Sequence, residues 1–249
     1  MSISDSLGNG HRYGLILLLL VLPLTAALAK EPQINPFEVH YLINRNGLPL
    51  VNMERRLIKT ETGIYRFEAN SSPTKNISWL IKDRITEYSL LQQNPLRPLQ
   101  YRYERKGGRK SELIELEFDW QNNKARDVQH NPVTTTTIPA ETTDKLLYQL
   151  QIMLDLAAGK RELKYTIVDK GKLHHYHYKF IGNEKLQLPI GDFETIVLHR
   201  DAGKRSTTIW CAPALNYLPV RIEHKEKDGS RMQANATHIS GIQPLTVSR

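Results

Sequence analysis

The sequence holds a single cysteine, Cys211, in 249 residues. No intramolecular disulfide can form, so in an oxidising compartment the chain has to rely on a packed core. With Cys211 as the one thiol, a lipid attachment signal near the amino terminus is absent too. No apolar run reaches the roughly 20 residues that a membrane span requires. There is no G-x-S-x-G elbow and no glycine-rich phosphate loop, so the motifs of serine hydrolases and nucleotide binders are missing. Nor does the chain show an internal repeat, or a linker long enough to divide it into two domains.

What is present begins with a leader. Residues 15–29 read LILLLLVLPLTAALA, an apolar run of signal-peptide length, and Ala27-Leu28-Ala29 supplies the small-x-small pattern of a cleavage site before Lys30. The expectation is a signal peptide over 1–29 and one β-rich domain over 30–249, exported to the periplasm. Cleavage leaves about 220 residues, enough for a sizeable single core. The formal charge is +8, and removal of Arg12 together with Asp5 leaves it unchanged. Such a charge serves solubility first, and in an envelope compartment it suits anionic lipid, lipopolysaccharide or acidic glycan. Nucleic acid is not an expected partner outside the cytoplasm, and no membrane span is expected once the leader is gone.

From Phe37 onward, apolar and polar residues alternate in short stretches separated by turn signals, the pattern of half-buried antiparallel strands. Phe37, Val39, Tyr41 and Ile43 share one face, and Asn46-Gly47 supplies a tight hairpin turn. Further strands are expected at 49–59, 63–70, 77–91, 99–106 and 110–120, with Gly107-Gly108 turning between the last two. Residues 132–139, PVTTTTIP, are extended, because β-branched residues bracketed by prolines oppose a helix. One amphipathic helix is expected at about 143–158. Its stripe is Leu146, Leu147, Leu150, Met153, Leu154 and Ala157, with Thr142 or Thr143 as cap and Gly159 as stop. Strands resume at 161–169, 172–181, 193–201, 204–211, 217–226 and 230–240. The fold class that follows is mostly β: a curved antiparallel sheet or incomplete β-barrel wrapping one amphipathic helix.

The second half carries Leu188-Pro189-Ile190-Gly191-Asp192-Phe193-Glu194-Thr195, then Arg200, Trp210 and Tyr217-Leu218-Pro219-Val220-Arg221-Ile222-Glu223, followed by Asp228-Gly229. The first half adds Phe37-x-Val39-x-Tyr41, Gly47, Pro139, Asp144 and Gly159. In these residues the chain resembles a bacterial exported family labelled domain of unknown function 3108. The resemblance spans about residues 37 to 240 and implies a signal peptide, an envelope location and a β-rich fold. It implies no activity. The glycines, prolines and large aromatics of the motif also have direct roles in shaping turns and filling a core.

Candidate chemistry is sparse. In His174-His175-Tyr176-His177-Tyr178, strand alternation puts His175 and His177 on one face. Two histidines at i and i+2 are candidate zinc or copper ligands, but a site requires a third, with His199, His224 and His238 available on later strands. Cys211 reads as a buried filler rather than a thiolate. No catalytic residue and no cofactor are assigned. The stretch YRYERKGGRK forms a hairpin tip with Arg102, Arg105, Lys106, Arg109 and Lys110 against Glu104. Of these, Arg105, Lys106, Arg109 and Lys110 are the candidate ligand-binding residues for an anionic surface. The same charges also suit an edge that deters strand pairing.

Three functions are open on these residues: a non-catalytic envelope protein binding an amphiphilic or anionic lipid or glycan, a metal-assisted hydrolase using His175 and His177, and a structural envelope scaffold. An apolar cavity would favour the first, three convergent ligands the second, and a filled core with an exposed apolar patch the third. The leader makes the first prediction: amino-terminal sequencing of exported protein should start at Lys30. Recovery of the chain with Met1 to Ala29 still attached would contradict it.

Overall fold

The computed structural model describes residues 34–108, 111–129 and 131–242. The leader read at 1–29 lies outside the described residues, as do Arg109 and Lys110 of the basic tip. The first eight strands are β1 (Phe37–Arg45), β2 (Leu48–Lys59), β3 (Tyr65–Pro73), β4 (Arg84–Gln93), β5 (Leu96–Lys106), β6 (Glu112–Asp119), β7 (Lys124–Asp127) and β8 (Thr134–Thr137). A two-residue β9 (Thr142–Thr143) leads into α1 (Tyr148–Ala157). Then come β10 (Glu162–Asp169), β11 (Lys172–Leu188), β12 (Gly191–Ala202), β13 (Arg205–Ala212), β14 (Leu218–Lys225) and β15 (Arg231–Ser240).

All fifteen strands belong to one sheet, in the order β8-β7-β6-β5-β4-β3-β2-β1-β15-β14-β13-β12-β11-β10-β9. Two antiparallel meanders run outward in opposite directions from the β1–β15 pair, and β9 adds a short parallel pairing to β10. The outer strands β8 and β9 are not paired with each other, so the sheet curls into a barrel that stays open along one seam. Side chains bridge that seam: Thr136 Oγ1 donates to Gly171 O at 2.7 Å, and Lys170 pairs with Glu112. The expected curved sheet wrapping one helix is thus the observed fold.

The inward face follows the alternation read from the sequence, with Phe37, Val39 and Tyr41 buried on β1 and Leu57, Phe67, Leu91, Tyr101 and Leu116 beyond them. The helix differs from its expected bounds. Thr142 and Thr143 do not cap it but pair with Thr166 and Ile167 of β10. Asp144 ties the entry instead, with Oδ1 accepting the backbone N–H groups of Leu146 and Leu147 at 2.8 and 2.7 Å. One turn of chain is spent in this bend, so α1 starts at Tyr148. Gly159 ends it as expected, at φ +80°, where its missing Cβ permits the left-handed residue that closes a helix. Burial is not confined to a stripe. Ile152 and Leu156, outside the expected face, are fully enclosed, while Ala157 is exposed. The sheet surrounds the helix on more than one side, and its sequence is apolar to match.

A second difference lies before β4. The expected strand at 77–91 begins only at Arg84, because residues 74–81 close into successive turns, with Ile77 N–H donating to Thr74 O and both Leu80 and Ile81 to Ile77 O. Alternation misreads this segment, since the turns place Trp79 and Leu80 outward together. β11 also runs longer than expected, to Leu188, by absorbing a bulge at Gly182.

Asp144 is fully enclosed, and Ser89 Oγ donates to its Oδ2 at 2.6 Å. Burial raises its pKa to about 7 despite the hydrogen bonds that oppose the shift. The folded state therefore holds a proton there that the unfolded chain releases near the ordinary aspartate value. The associated stabilisation is present at low pH and is lost as pH rises through about 7. Asp144→Asn keeps an acceptor for the two N–H groups and cannot titrate. Urea denaturation at pH 5 and pH 8 should show a smaller fall in midpoint for this variant than for the wild type. An equal fall in both would contradict the assignment. The core prediction concerns Leu150 and Met153, each 1% exposed. Leu150→Ala or Met153→Ala should cost about 2 to 5 kcal/mol by loss of packing, read from denaturation midpoints. Unchanged midpoints would mean that the helix is not packed as described.

Candidate functional site

The histidine pair sits on β11, opposite Thr166 and Lys164 of β10. Alternation is as read: Tyr176 and Tyr178 turn inward, and His175 and His177 face outward. His177 Nε2 lies 2.7 Å from Glu162 Oε1, and His175 Nδ1 is 3.3 Å from Thr166 Oγ1. Among the described residues neither histidine joins a three-donor cluster, and His199, His224 and His238 sit with other neighbours. At the hairpin tip, Arg105 pairs with Asp83 at 2.9 Å and Lys106 with Glu104 at 2.8 Å.

Space inside the barrel decides what kind of ligand can enter. The gap between α1 and the sheet, bounded by Phe67, Leu150, Met153 and Leu218, amounts to about 10 Å³. That is at the limit for a single water. No acyl chain fits behind the helix without repacking it. Larger clefts lie elsewhere: one of about 380 Å³ on the outer face beside His40, Glu54 and Asn70, and one of about 420 Å³ at the seam beside Tyr165 and Asp155. On that outer face the donor atoms of Glu38, His40 and Glu54 lie within 4.8 Å of one another. Their charges are already answered, since Glu38 contacts His40 at 2.5 Å and Arg56 contacts Glu54 at 2.9 Å.

The arrangement with unanswered chemistry lies inside the barrel, with Arg200 near the rim made by the Asn46-Gly47 and Ala202-Gly203 turns and Arg55 deeper, opposite Val39. Arg55 on β2 shares its inward parity with Met53 and Leu57, and Arg200 on β12 shares its own with Ile196 and Leu198. The first turn of α1 reaches both groups. Gln149 Oε1 accepts from Arg55 Nη1, and Tyr148 stacks on Tyr178 with ring centroids 6.2 Å apart. The Arg200 guanidinium lies 3.8 Å from the centre of the Tyr176 ring and 5.6 Å from that of Tyr178, and Arg55 is 5.3 Å from that of Tyr41. Stacking of this kind holds a guanidinium by its face, and Arg200 Nη2 also donates to Thr207 Oγ1 at 3.3 Å.

Two observations make the cluster unusual. Among the described residues neither arginine has a carboxylate at ion-pair distance, and the Nε of each is enclosed with no hydrogen-bond partner. The Tyr178 hydroxyl, fully enclosed beside them, also lacks a well-formed hydrogen bond. Buried donors normally find acceptors, and a buried charge normally finds a counter-charge. His224 on β14 completes the rim, its Nδ1 2.9 Å from Thr207 Oγ1. Part of its surface meets solvent, yet the surrounding protein is dense enough that desolvation is the largest effect lowering its pKa, followed by the charges of Arg200 and Arg55. The one acid that feels Arg55 from the inner face is Glu87, two strands away. Burial raises its pKa, and Tyr101 donates to it at 2.6 Å. The result is a tyrosine-lined pair of guanidinium groups whose hydrogen bonds go to neutral acceptors, Arg55 to Gln149 and Arg200 to Thr207, and not to acids.

Sequence reading did not single out this cluster, although Arg200 stands among the residues of the family resemblance. The available signal was parity: Arg55 lies at an inward position between buried Met53 and Leu57 on β2, and Arg200 follows buried Ile196 and Leu198 at the same parity on β12. Cys211, by contrast, is the enclosed filler expected, and burial pushes its thiol pKa up.

Comparison with solved structures agrees with the fold. A β-barrel-like protein of a domain of unknown function, DUF1849, from Brucella abortus superposes with a TM-score of 0.57 at 8% identity, covering 84% of this chain and 98% of that one. A domain described as an outer membrane lipoprotein-sorting protein domain from Vibrio parahaemolyticus aligns at 9% identity over 86% of each chain, with a TM-score of 0.27. No curated protein matches the sequence. The family model described as protein of unknown function DUF3108 matches residues 36–236, and the chain belongs to that family.

Proposed function

We propose that this chain is an exported, non-catalytic envelope protein, signal peptide 1–29 followed by one domain, that binds the anionic head of an amphiphile at the arginine mouth. The observation that carries the reading is the pair of inward arginines, Arg55 and Arg200, stacked on tyrosines and left without counter-charge. A carboxylate or phosphate would accept charged hydrogen bonds from a guanidinium, the strongest class of hydrogen bond available to a protein. His224, its pKa lowered, is neutral at pH 7, so it presents an imidazole rather than a third cation. The filled space behind α1 supports a ligand held by its head at the rim, its apolar part lying along the rim or remaining in a membrane. Among the described residues no helix is long and apolar enough to cross a membrane, which is compatible with a periplasmic location.

Calorimetric titration with dodecyl phosphate, and with dodecyltrimethylammonium as the cationic control, tests the reading below micelle-forming concentrations. The phosphate should bind and the ammonium should not. Arg200→Gln and Arg55→Gln should each weaken phosphate binding about tenfold or more, the worth of one charged hydrogen bond. Thermal midpoints taken alongside separate loss of binding from loss of fold. Equal binding of both amphiphiles, or phosphate binding untouched in two folded variants, would overturn the assignment.

A further inference from the structure

The rim that carries the arginine mouth also carries the most exposed aromatic side chain among the described residues. Trp79 is 75% exposed and Leu80 66%, side by side in the loop between β3 and β4. Single exposed apolar residues are ordinary, but an adjacent tryptophan and leucine held out together are not explained by packing. The loop is ordered by its own hydrogen bonds. Trp79 Nε1 donates to Asn76 O at 3.1 Å, Ser78 Oγ to Lys75 O at 3.0 Å, and Leu80 N–H to Ile77 O. The indole N–H is therefore satisfied within the loop, and its apolar face points away from the protein at no further ordering cost.

The β5–β6 hairpin packs against the base of this loop. Gly107 lies at φ +89°, where a Cβ would meet Lys82 O at 2.1 Å, so only glycine allows the approach. The loop and the hairpin are thus one tip, and its charge has one sign in excess. The described cations Lys75, Lys82, Arg84, Arg105 and Lys106 face the acids Asp83 and Glu104, five against two. Arg105 and Lys106 take up the two acids, whereas Lys75, Lys82 and Arg84 have no ion pair among the described residues. Arg109 and Lys110 follow in sequence and add to the same sign.

The register puts this tip on the same rim as Arg200 and His224. The loop leaves from Pro73, which pairs with Val51 close to the Asn46-Gly47 turn. Arg45 beside that turn pairs with Met232, which in turn pairs with His224. From there Lys225 pairs with Ser206, next to the turn that follows Arg200. We infer that this rim docks on the surface of an anionic bilayer, with Trp79 and Leu80 entering the head-group region and Lys75, Lys82 and Arg84 pairing with lipid phosphates and carboxylates. Charge complementarity selects an anionic membrane. Tryptophan suits the interfacial depth, where an apolar ring and a polar edge are both accommodated. Docking in this pose faces the arginine mouth towards the head groups. Docking through the tip does not depend on what the mouth binds.

Flotation with extruded vesicles of phosphatidylcholine, with or without 30% phosphatidylglycerol (a chosen probe composition), tests the inference on the mature chain. Protein should float with the anionic vesicles and not with the neutral ones, and binding should weaken as salt is raised, since exposed charges are screened. Trp79→Ser with Leu80→Ser, and separately Lys75→Gln, Lys82→Gln and Arg84→Gln together, should each reduce the bound fraction about tenfold. Wild-type tryptophan emission should shift to the blue on vesicles, and Trp79→Phe should abolish the shift while Trp120 and Trp210 remain. Arg55→Gln with Arg200→Gln should still float, which separates this inference from the proposed ligand site. Binding to neutral vesicles alike, no flotation at all, or a Trp79-dependent dimer in place of vesicle binding would overturn it.

Discussion

Packing of α1 against the inner face of the sheet is the constraint on which the rest depends. Fifteen strands curl around a ten-residue helix whose Leu150, Ile152, Met153 and Leu156 are all enclosed, and the intervening space is filled to about one water's volume. Because the chain passes from β8 through the helix to β10, the two sheet edges meet over α1 without pairing, and the barrel keeps a seam. The gap beside α1 is too small for a ligand, and larger clefts among the described residues lie at the seam and on the outer face. Whatever the barrel binds must be met at an end, at the seam or on the outer face.

Two inward positions depart from the apolar pattern. Arg55 and Arg200 occupy places that a packing argument alone would give to valine or leucine, and tyrosine rings rather than acids support them. Burying a guanidinium without a counter-charge opposes folding, so the arrangement stands as a local cost against an otherwise well-satisfied interior. Asp144 shows the contrast. It is more deeply enclosed than either arginine, and it accepts from two backbone N–H groups and from Ser89, which bends the chain into the helix.

Much of the fold was legible because it rests on local chemistry. Asn46-Gly47, Gly159 and the alternation of Phe37, Val39 and Tyr41 each act within a few residues. The helix start was misread because Thr142 and Thr143 are good caps in isolation, and only the distant strand β10 claims them for pairing. Residues around Trp79 were misread for a related reason: apolar spacing cannot distinguish a strand from a loop whose turns present two large side chains to solvent. The basic hairpin was visible, but not that Asp83 and Glu104 answer part of its charge. Arg55 and Arg200 are 145 positions apart in sequence. The first turn of α1 links them, Gln149 contacting Arg55 and Tyr148 packing on the tyrosines that hold Arg200, and no local pattern reports that link.

Native mass spectrometry of the protein purified from its own cell envelope tests the central claim most directly. The account predicts a single bound anionic amphiphile, present on the wild type and missing when Arg55 and Arg200 are both replaced by glutamine. A wild-type mass equal to the bare mature chain, or an adduct unchanged by those substitutions, would contradict it.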